Sequence, residues 1–264
     1  MTEKNIIPPK KKIEGVSQRA AQAVYQQLEK GRTYFGSSAA MLSHQISSPD
    51  YADKEIDKKK AKEYYQKVVD TTDKLKAWIK DKPNAVLVDS VKTINWDEEI
   101  IDPETKILNS GYIDHMIFMG DEIILLTTKD YGKKKNLTVG DEGQILRAGK
   151  EFSGSNIKMS EMVDNWLNYF EIGASITGIV YMPGEENSVF RNKNWFLQSF
   201  RIVEDERFID LLDEKYDSME DFDKVNVNTS LIAQGIVNCI KPYDEFSRVL
   251  NENAIRDYKN IRSR

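Results

Sequence analysis

An α/β protein with a mixed central sheet flanked by helices is the fold class this sequence predicts, and three observations carry the prediction. Residues Asp53 to Lys82 hold apolar side chains at three- and four-residue spacing. The stretch that follows changes to short apolar runs broken by glycine-containing turns, the pattern of strands. Glu204 to Tyr216 then returns to helical spacing, with Phe208, Leu211 and Leu212 facing inward. The resulting order is helix, several strands, helix, strand, strand, helix, and it suggests a sheet with helices on its faces.

Taken in order, residues 1 to about 12, with Pro8-Pro9 and Lys10-Lys11-Lys12, read as a solvated arm. Glu14 to Lys30 suits a short amphipathic helix through Val16, Ala20, Ala23, Val24 and Leu28, and Gly31 is a plausible stop. Arg32 to Ala52 mixes Gly, Ser and Pro49 with few large apolar groups and reads as a linker or loosely packed extension. The helix from Asp53 to Lys82 buries Tyr65, Val68, Val69, Thr72, Leu75, Trp78 and Ile79; its ten lysines against seven carboxylates make a solvated face. Strands are expected at Ala85 to Val88, then at Met116 to Met119 and Ile123 to Leu126, the last two paired across Gly120-Asp121-Glu122. A second hairpin spans Val139 to Leu146. Ser160 caps a helix with Met162, Val163, Trp166, Leu167 and Phe170, and strands follow at Ile176 to Met182 and Trp195 to Val203. The tail from Asn228 to Arg264 reads as helical and ends in a basic, frayed terminus. Residues 1–52 and 218–264 are thus expected as helical N- and C-terminal extensions around a central domain, 53–217.

With 264 residues, 40% hydrophobic and 10% aromatic, the chain can fill a real core. A net charge of −5 argues against coating nucleic acid through bulk charge, and the ten carboxylates against three basic residues between Glu204 and Lys224 would repel a phosphate backbone there. Cys239 is the single cysteine and sits in an apolar run, so neither a disulfide framework nor a zinc thiolate cluster is available. Two histidines, His44 and His115, are too few for a histidine-built centre. Any metal would be held by oxygen, which favours magnesium or manganese. The beginning lacks an apolar core of secretory length and no run approaches a membrane span, so a cytoplasmic location without membrane contact is the default expectation.

Chemistry concentrates around Gly120. Side chains alternate in a strand, so Asp114, Met116 and Phe118 share one face, and Ile123, Leu125, Thr127 and Lys129 share one on the next. With a turn at Gly120 to Glu122, Asp114 and Lys129 are expected near the same open end of the sheet. An acid and an ammonium so placed suit metal-assisted phosphodiester chemistry, and they are equally ordinary on a surface hairpin. In the ordinary reading Asp114 hydrogen-bonds a loop amide, Lys129 belongs with Lys133-Lys134-Lys135, and His115 is a half-buried strand residue.

Tyr112-Ile-Asp-His-Met-Ile followed by Thr127-Thr-Lys-Asp-Tyr131, the glycine-turn hairpin Val139-Gly-Asp-Glu-Gly-Gln-Ile, the segment Glu161 to Phe170 and the strand Thr177-Gly-Ile-Val-Tyr181 occur in this order. The set resembles the nuclease-related domain (NERD) proteins, a bacterial branch of the PD-(D/E)XK nuclease superfamily, over roughly residues 55 to 217. The resemblance implies a restriction-endonuclease-like fold, a possible magnesium or manganese cofactor, and nucleic acid as substrate, DNA before RNA. Carried over by position, Asp114 is the metal ligand and Lys129 the catalytic lysine. Glu63 is similar to the family's helical acid, with Glu55 an alternative. Thr127 departs from the pattern, because a carboxylate is expected there and a hydroxyl lacks its charge.

Either another acid, such as Asp130 or Glu142, has taken that role, or the chain is an inactive binding or scaffold module of the same shape. Terminal helices could recruit a protein partner in either case.

Overall fold

The computed structural model describes residues 18–36, 55–83, 85–94, 110–120, 122–129, 137–140, 145–153, 175–183, 200–219 and 249. It is a mixed α/β protein with few helices, in which six strands form a mixed sheet and three form a smaller one. The chain divides into two compact units, residues 1–120 with 221–264, and residues 121–220.

In the first unit, helix α1 spans Gln18–Glu29 and buries Ala20, Val24 and Leu28, one residue per turn. It stops where expected. Gly31 takes a φ of +81°, and the amides of Gly31 and Arg32 donate to the carbonyls of Leu28 and Gln27 at 2.8 and 3.0 Å. These bonds close the last turn, and only glycine enters the left-handed region without steric cost.

The expected linker from Arg32 begins instead with a strand, β1 (Tyr34–Phe35), which pairs in parallel with β2 (Ala85–Ile94). Two residues give no periodicity, and the pairing partner lies some fifty residues on, so the local sequence carries only the turn signal of the surrounding Gly and Ser. Phe35 is fully buried. Helix α2 (Glu55–Ile79) agrees with expectation, and Val68, Thr71, Thr72, Leu75, Trp78 and Ile79 form its buried stripe. Burial of each large aliphatic contributes about 1.5–3 kcal/mol, which outweighs the small intrinsic helix propensities of a lysine-rich segment. Strand β2 runs beyond the expected Val88, because its later residues pair antiparallel with β3 (Ser110–Met119) all the way to Ile94 opposite Ser110.

In the second unit, β4 (Glu122–Thr128), β8 (Ser175–Met182) and β9 (Phe200–Glu204) are parallel neighbours, and helix α3 (Asp205–Asp217) follows β9 directly. Residues 123 to 128 are all buried, so β4 is covered on both faces. That explains the unbroken apolar run Ile123 to Leu126. Phe208, Leu212 and Tyr216 are the buried stripe of α3, whereas Leu211 is half-buried.

The expected hairpin is present as β5 (Leu137–Val139) against β6 (Ile145–Arg147). A third strand, β7 (Lys150–Ser153), returns along β6 through the two-residue corner Ala148-Gly149, with φ of 51° and 75°. Such paired positive values match the right-handed twist of the flanking strands. The helix expected from Ser160, the start of the strand expected at Trp195, and the tail other than Val249 lie outside the described residues.

Candidate functional site

Asp114 and His115 are adjacent on β3 and both are fully buried, yet their side chains go to opposite faces. The His115 face is identified by its partner. Thr72 Oγ1 of α2 lies 2.7 Å from His115 Nε2. Register places Asp89 of β2 directly opposite His115 and Leu87 opposite Ile117, and Tyr34 of β1 beside Leu87. Consistently, the Tyr34 hydroxyl donates to Asp89 Oδ2 at 2.7 Å, and Lys76 of α2 holds its ammonium 4.9 Å from the Tyr34 ring centroid. The helix therefore covers a face carrying Tyr34, Asp89 and His115.

The chemistry under that helix is polar and closed. Thr72 also sits 3.1 Å from the Val68 carbonyl, and its hydroxyl has one proton to give. If that proton goes to Val68, His115 Nε2 donates to Thr72; if it goes to His115, Nε2 accepts. In either state Nδ1 of the ring is buried with no hydrogen-bond partner among the described residues. Burial lowers the His115 pKa from 6.5 to about 3. The imidazole is neutral at pH 7, because a charged ring would lose its hydration without compensation. Thr72, His115 and Asp89 are all buried on this face, where the Thr72–His115 and Tyr34–Asp89 pairs act as a brace.

Gly36 completes it. A Cβ at this position would lie 1.7 Å from Asp89 Oδ1, and the backbone φ is +122°. Both the space and the conformation demand glycine. Asp89, Tyr34 and Gly36 were not singled out in the sequence. An aromatic pair followed by glycine, and an acid ending the run Ala85 to Val88, were the available signals.

Asp114 shares the other face with Met116 and Phe118, opposite which lie Val88 and Val86 of β2. Asp114 itself is fully buried. Glu63 is exposed on α2, the helix that covers the His115 face, so the first unit does not bring Glu63 and Asp114 onto one face of β3. The side chain of Glu55 lies outside the described residues.

In the second unit, Lys129 follows the last residue of β4, and its amide donates to the Tyr181 carbonyl at 2.8 Å. This bond continues the parallel ladder past Thr128 and Tyr181 by one rung, setting Lys129 beside Met182. Met182 is itself paired with Glu204. Lys129, Met182 and Glu204 therefore form one row at the carboxyl ends of three parallel strands, with Thr127, Val180 and Ile202 in the row beneath on the same face. The opposite face belongs to α3: Tyr181 stacks on Phe208 with centroids 3.9 Å apart, and its hydroxyl donates to Asp205. Burial, together with that carboxylate, raises the Tyr181 pKa well above its ordinary value. Thr127 is 9% exposed. Asp130 and Glu142 lie outside the described residues.

Asp114 belongs to the first unit and Lys129 to the second. Among the described residues no group of three or more His, Cys, Asp or Glu is assembled to hold a metal ion. A carboxylate such as that of Asp114 is a hard oxygen donor, the type that magnesium and manganese prefer. No helix among the described residues is long and apolar enough to cross a membrane. Comparison with protein-family models, with curated proteins and with solved structures finds no match.

Proposed function

We propose that this chain is a restriction-endonuclease-like protein of the nuclease-related kind, acting on nucleic acid by metal-dependent phosphodiester hydrolysis. The observation that carries the reading is Asp114, a carboxylate at 0% exposure on β3. Buried ionisable side chains are over-represented at functional sites. Lys129 at the carboxyl end of parallel strands supports it, because open α/β sheets bind ligands along that edge.

In this reading Asp114 is the anionic oxygen ligand for magnesium or manganese. The bound ion would supply Lewis-acid polarisation of the phosphodiester and neutralise its charge. Lys129 carries a compact ammonium on a flexible stem, suited to orienting the attacking water or holding a phosphate oxygen. The ladder bond to Tyr181 fixes the backbone from which it acts. DNA is the preferred substrate class and a cytoplasmic setting is implied.

One observation favours a second reading, a nucleic-acid-binding or scaffold module that no longer cuts: residue 127 is a buried threonine where the family pattern has an acid. Titration of magnesium and manganese with single- and double-stranded DNA and RNA, beside Asp114→Ala and Lys129→Ala, separates the two. Cleavage that drops by about 100-fold or more in both variants is expected for the enzyme. Identical background cleavage in all three proteins removes hydrolysis, and retained binding without cleavage leaves the module.

A further inference from the structure

The three-stranded ribbon of the second unit ends in exposed charge. Leu137 of β5 pairs with Arg147 of β6, and Arg147 pairs with Lys150 of β7, so the three share one row and one face at the closed end of the β6–β7 hairpin. Leu137 is fully buried, whereas residues 147 to 151 are all exposed. We propose that Arg147 and Lys150 form a clamp for the phosphate backbone of duplex nucleic acid. The clamp rests on the hydrolase reading only for its nucleic-acid partner and needs neither a metal, Asp114 nor Lys129.

Three observations lead to the clamp. The first is the pair itself. Residues directly opposite on antiparallel strands have Cα atoms about 5 Å apart, inside the roughly 8 Å Debye length of physiological salt. Like charges so placed repel and weaken the hairpin. The corner between them gives no relief, since Ala148 adopts positive φ at a steric cost. An anion lying across Arg147 and Lys150 removes the repulsion.

The second is the lack of an internal acid to do the same. Glu151 is the one carboxylate among the described residues of the ribbon, and it pairs with Leu146, so it leaves from the opposite face. Among the described residues neither Arg147 nor Lys150 makes an ion pair. The guanidinium offers a planar fork and the ammonium a point charge, two complementary ways of holding phosphate oxygens.

The third is the setting of the pair. Ala148 and Gly149 between them are small, so a broad polyanion can approach the tip closely. In the sequence Lys133-Lys134-Lys135 comes just ahead of β5, whose first residue stands in the same row. Within a chain of net charge −5 this is a local cationic surplus, suited to a polyanion more than to a single anion. Among the described side chains of the ribbon no large apolar group is exposed, so nothing is offered to a bilayer interior. Contacts of this kind position a nucleic-acid backbone and read no bases.

The test is binding of the full chain to duplex DNA without divalent metal, followed by fluorescence anisotropy between about 50 and 200 mM salt. Arg147→Gln and Lys150→Gln are each expected to weaken binding and to reduce the slope of log affinity against log salt by about 1, equally for duplexes of unrelated sequence. Together they should reduce it by about 2. Arg201→Gln with Arg207→Gln removes the same charge from exposed positions of the same unit and is expected to leave the slope nearly unchanged. Lys150→Glu places an acid opposite Arg147, and it is expected to weaken binding by about tenfold or more while raising the urea midpoint. A midpoint that falls instead makes the pair structural and overturns the clamp. If the Arg147 and Lys150 double variant keeps the wild-type slope, or the Arg201 and Arg207 control loses as much, the clamp is likewise overturned. The hydrolase reading then stands, since cleavage is judged on Asp114 and Lys129. If phosphatidylserine–phosphatidylcholine vesicles are bound through Arg147 and Lys150 and duplex DNA is not, the partner is a membrane surface and the proposal fails. A wild-type chain that binds no duplex removes the clamp together with the nucleic-acid partner.

Discussion

The two units stabilise a helix on a sheet in different ways. In the first, the polar groups lie in the middle of the layer: Thr72, His115 and Asp89 are all fully buried beneath α2. In the second, the middle is apolar, through Phe208 and Leu212, and the polar groups sit at the ends. Tyr181 with Asp205 marks one end, and Lys215 with Glu122 and Thr177 the other, where the ion pair keeps 17% and 16% of its side-chain surface exposed. A buried brace fixes register and orientation strongly, but it has no water to replace a lost partner. An end clamp gives up less when cut.

The hardest test of that contrast is Gly36→Ala. The added methyl meets Asp89 Oδ1 and the backbone leaves its allowed region, so a loss of about 3 kcal/mol or more is expected from urea unfolding. A loss below about 1 kcal/mol would mean that the brace gives way easily. Next comes Thr72→Val, which keeps the volume and leaves the buried His115 Nε2 without its partner; about 1–3 kcal/mol is expected. Glu122→Gln in the second unit should cost about 1 kcal/mol or less, since water replaces part of the lost interaction. Equal costs for Thr72→Val and Glu122→Gln would erase the distinction.

Acid sharpens it further. His115 is held at a pKa of about 3 in the folded chain against 6.5 when unfolded. Above pH 6.5 neither state carries the proton and the full stability is present. As pH falls from 6.5 toward 3 the unfolded chain takes up a proton that the folded chain refuses, and stability drops by up to about 1.4 kcal/mol per pH unit. His115→Gln should flatten this part of the pH profile, measured by urea melts between pH 4 and 7. An unchanged slope would assign the acid sensitivity to other groups.

Much of this fold was legible because its signals are local. The stripe on α2, the stop at Gly31, the hairpin of β5 and β6, and the apolar runs of β4 and β8 each declare themselves within about ten residues. Strand β1 did not, because a two-residue strand exists only through a partner distant in sequence. The same limit applies to the candidate site residues. Alternation correctly separates Asp114 from His115, yet nothing in the sequence says which face a helix will cover. That is why Glu63 could be paired with Asp114 on paper while α2 lies over the His115 face. Asp89 was hidden by its neighbourhood, being an acid at the end of an apolar run whose partner, Tyr34, comes from a stretch rich in small residues.

The corner between β6 and β7 places Ala148 in a backbone region that chiral residues avoid, at a cost of roughly 1–2 kcal/mol. Such a corner does little to start its own hairpin. The rungs from Arg147 with Lys150 back to Ile145 with Ser153 must hold it closed, so this ribbon should assemble late, zipped from strands already in place and not seeded at its tip.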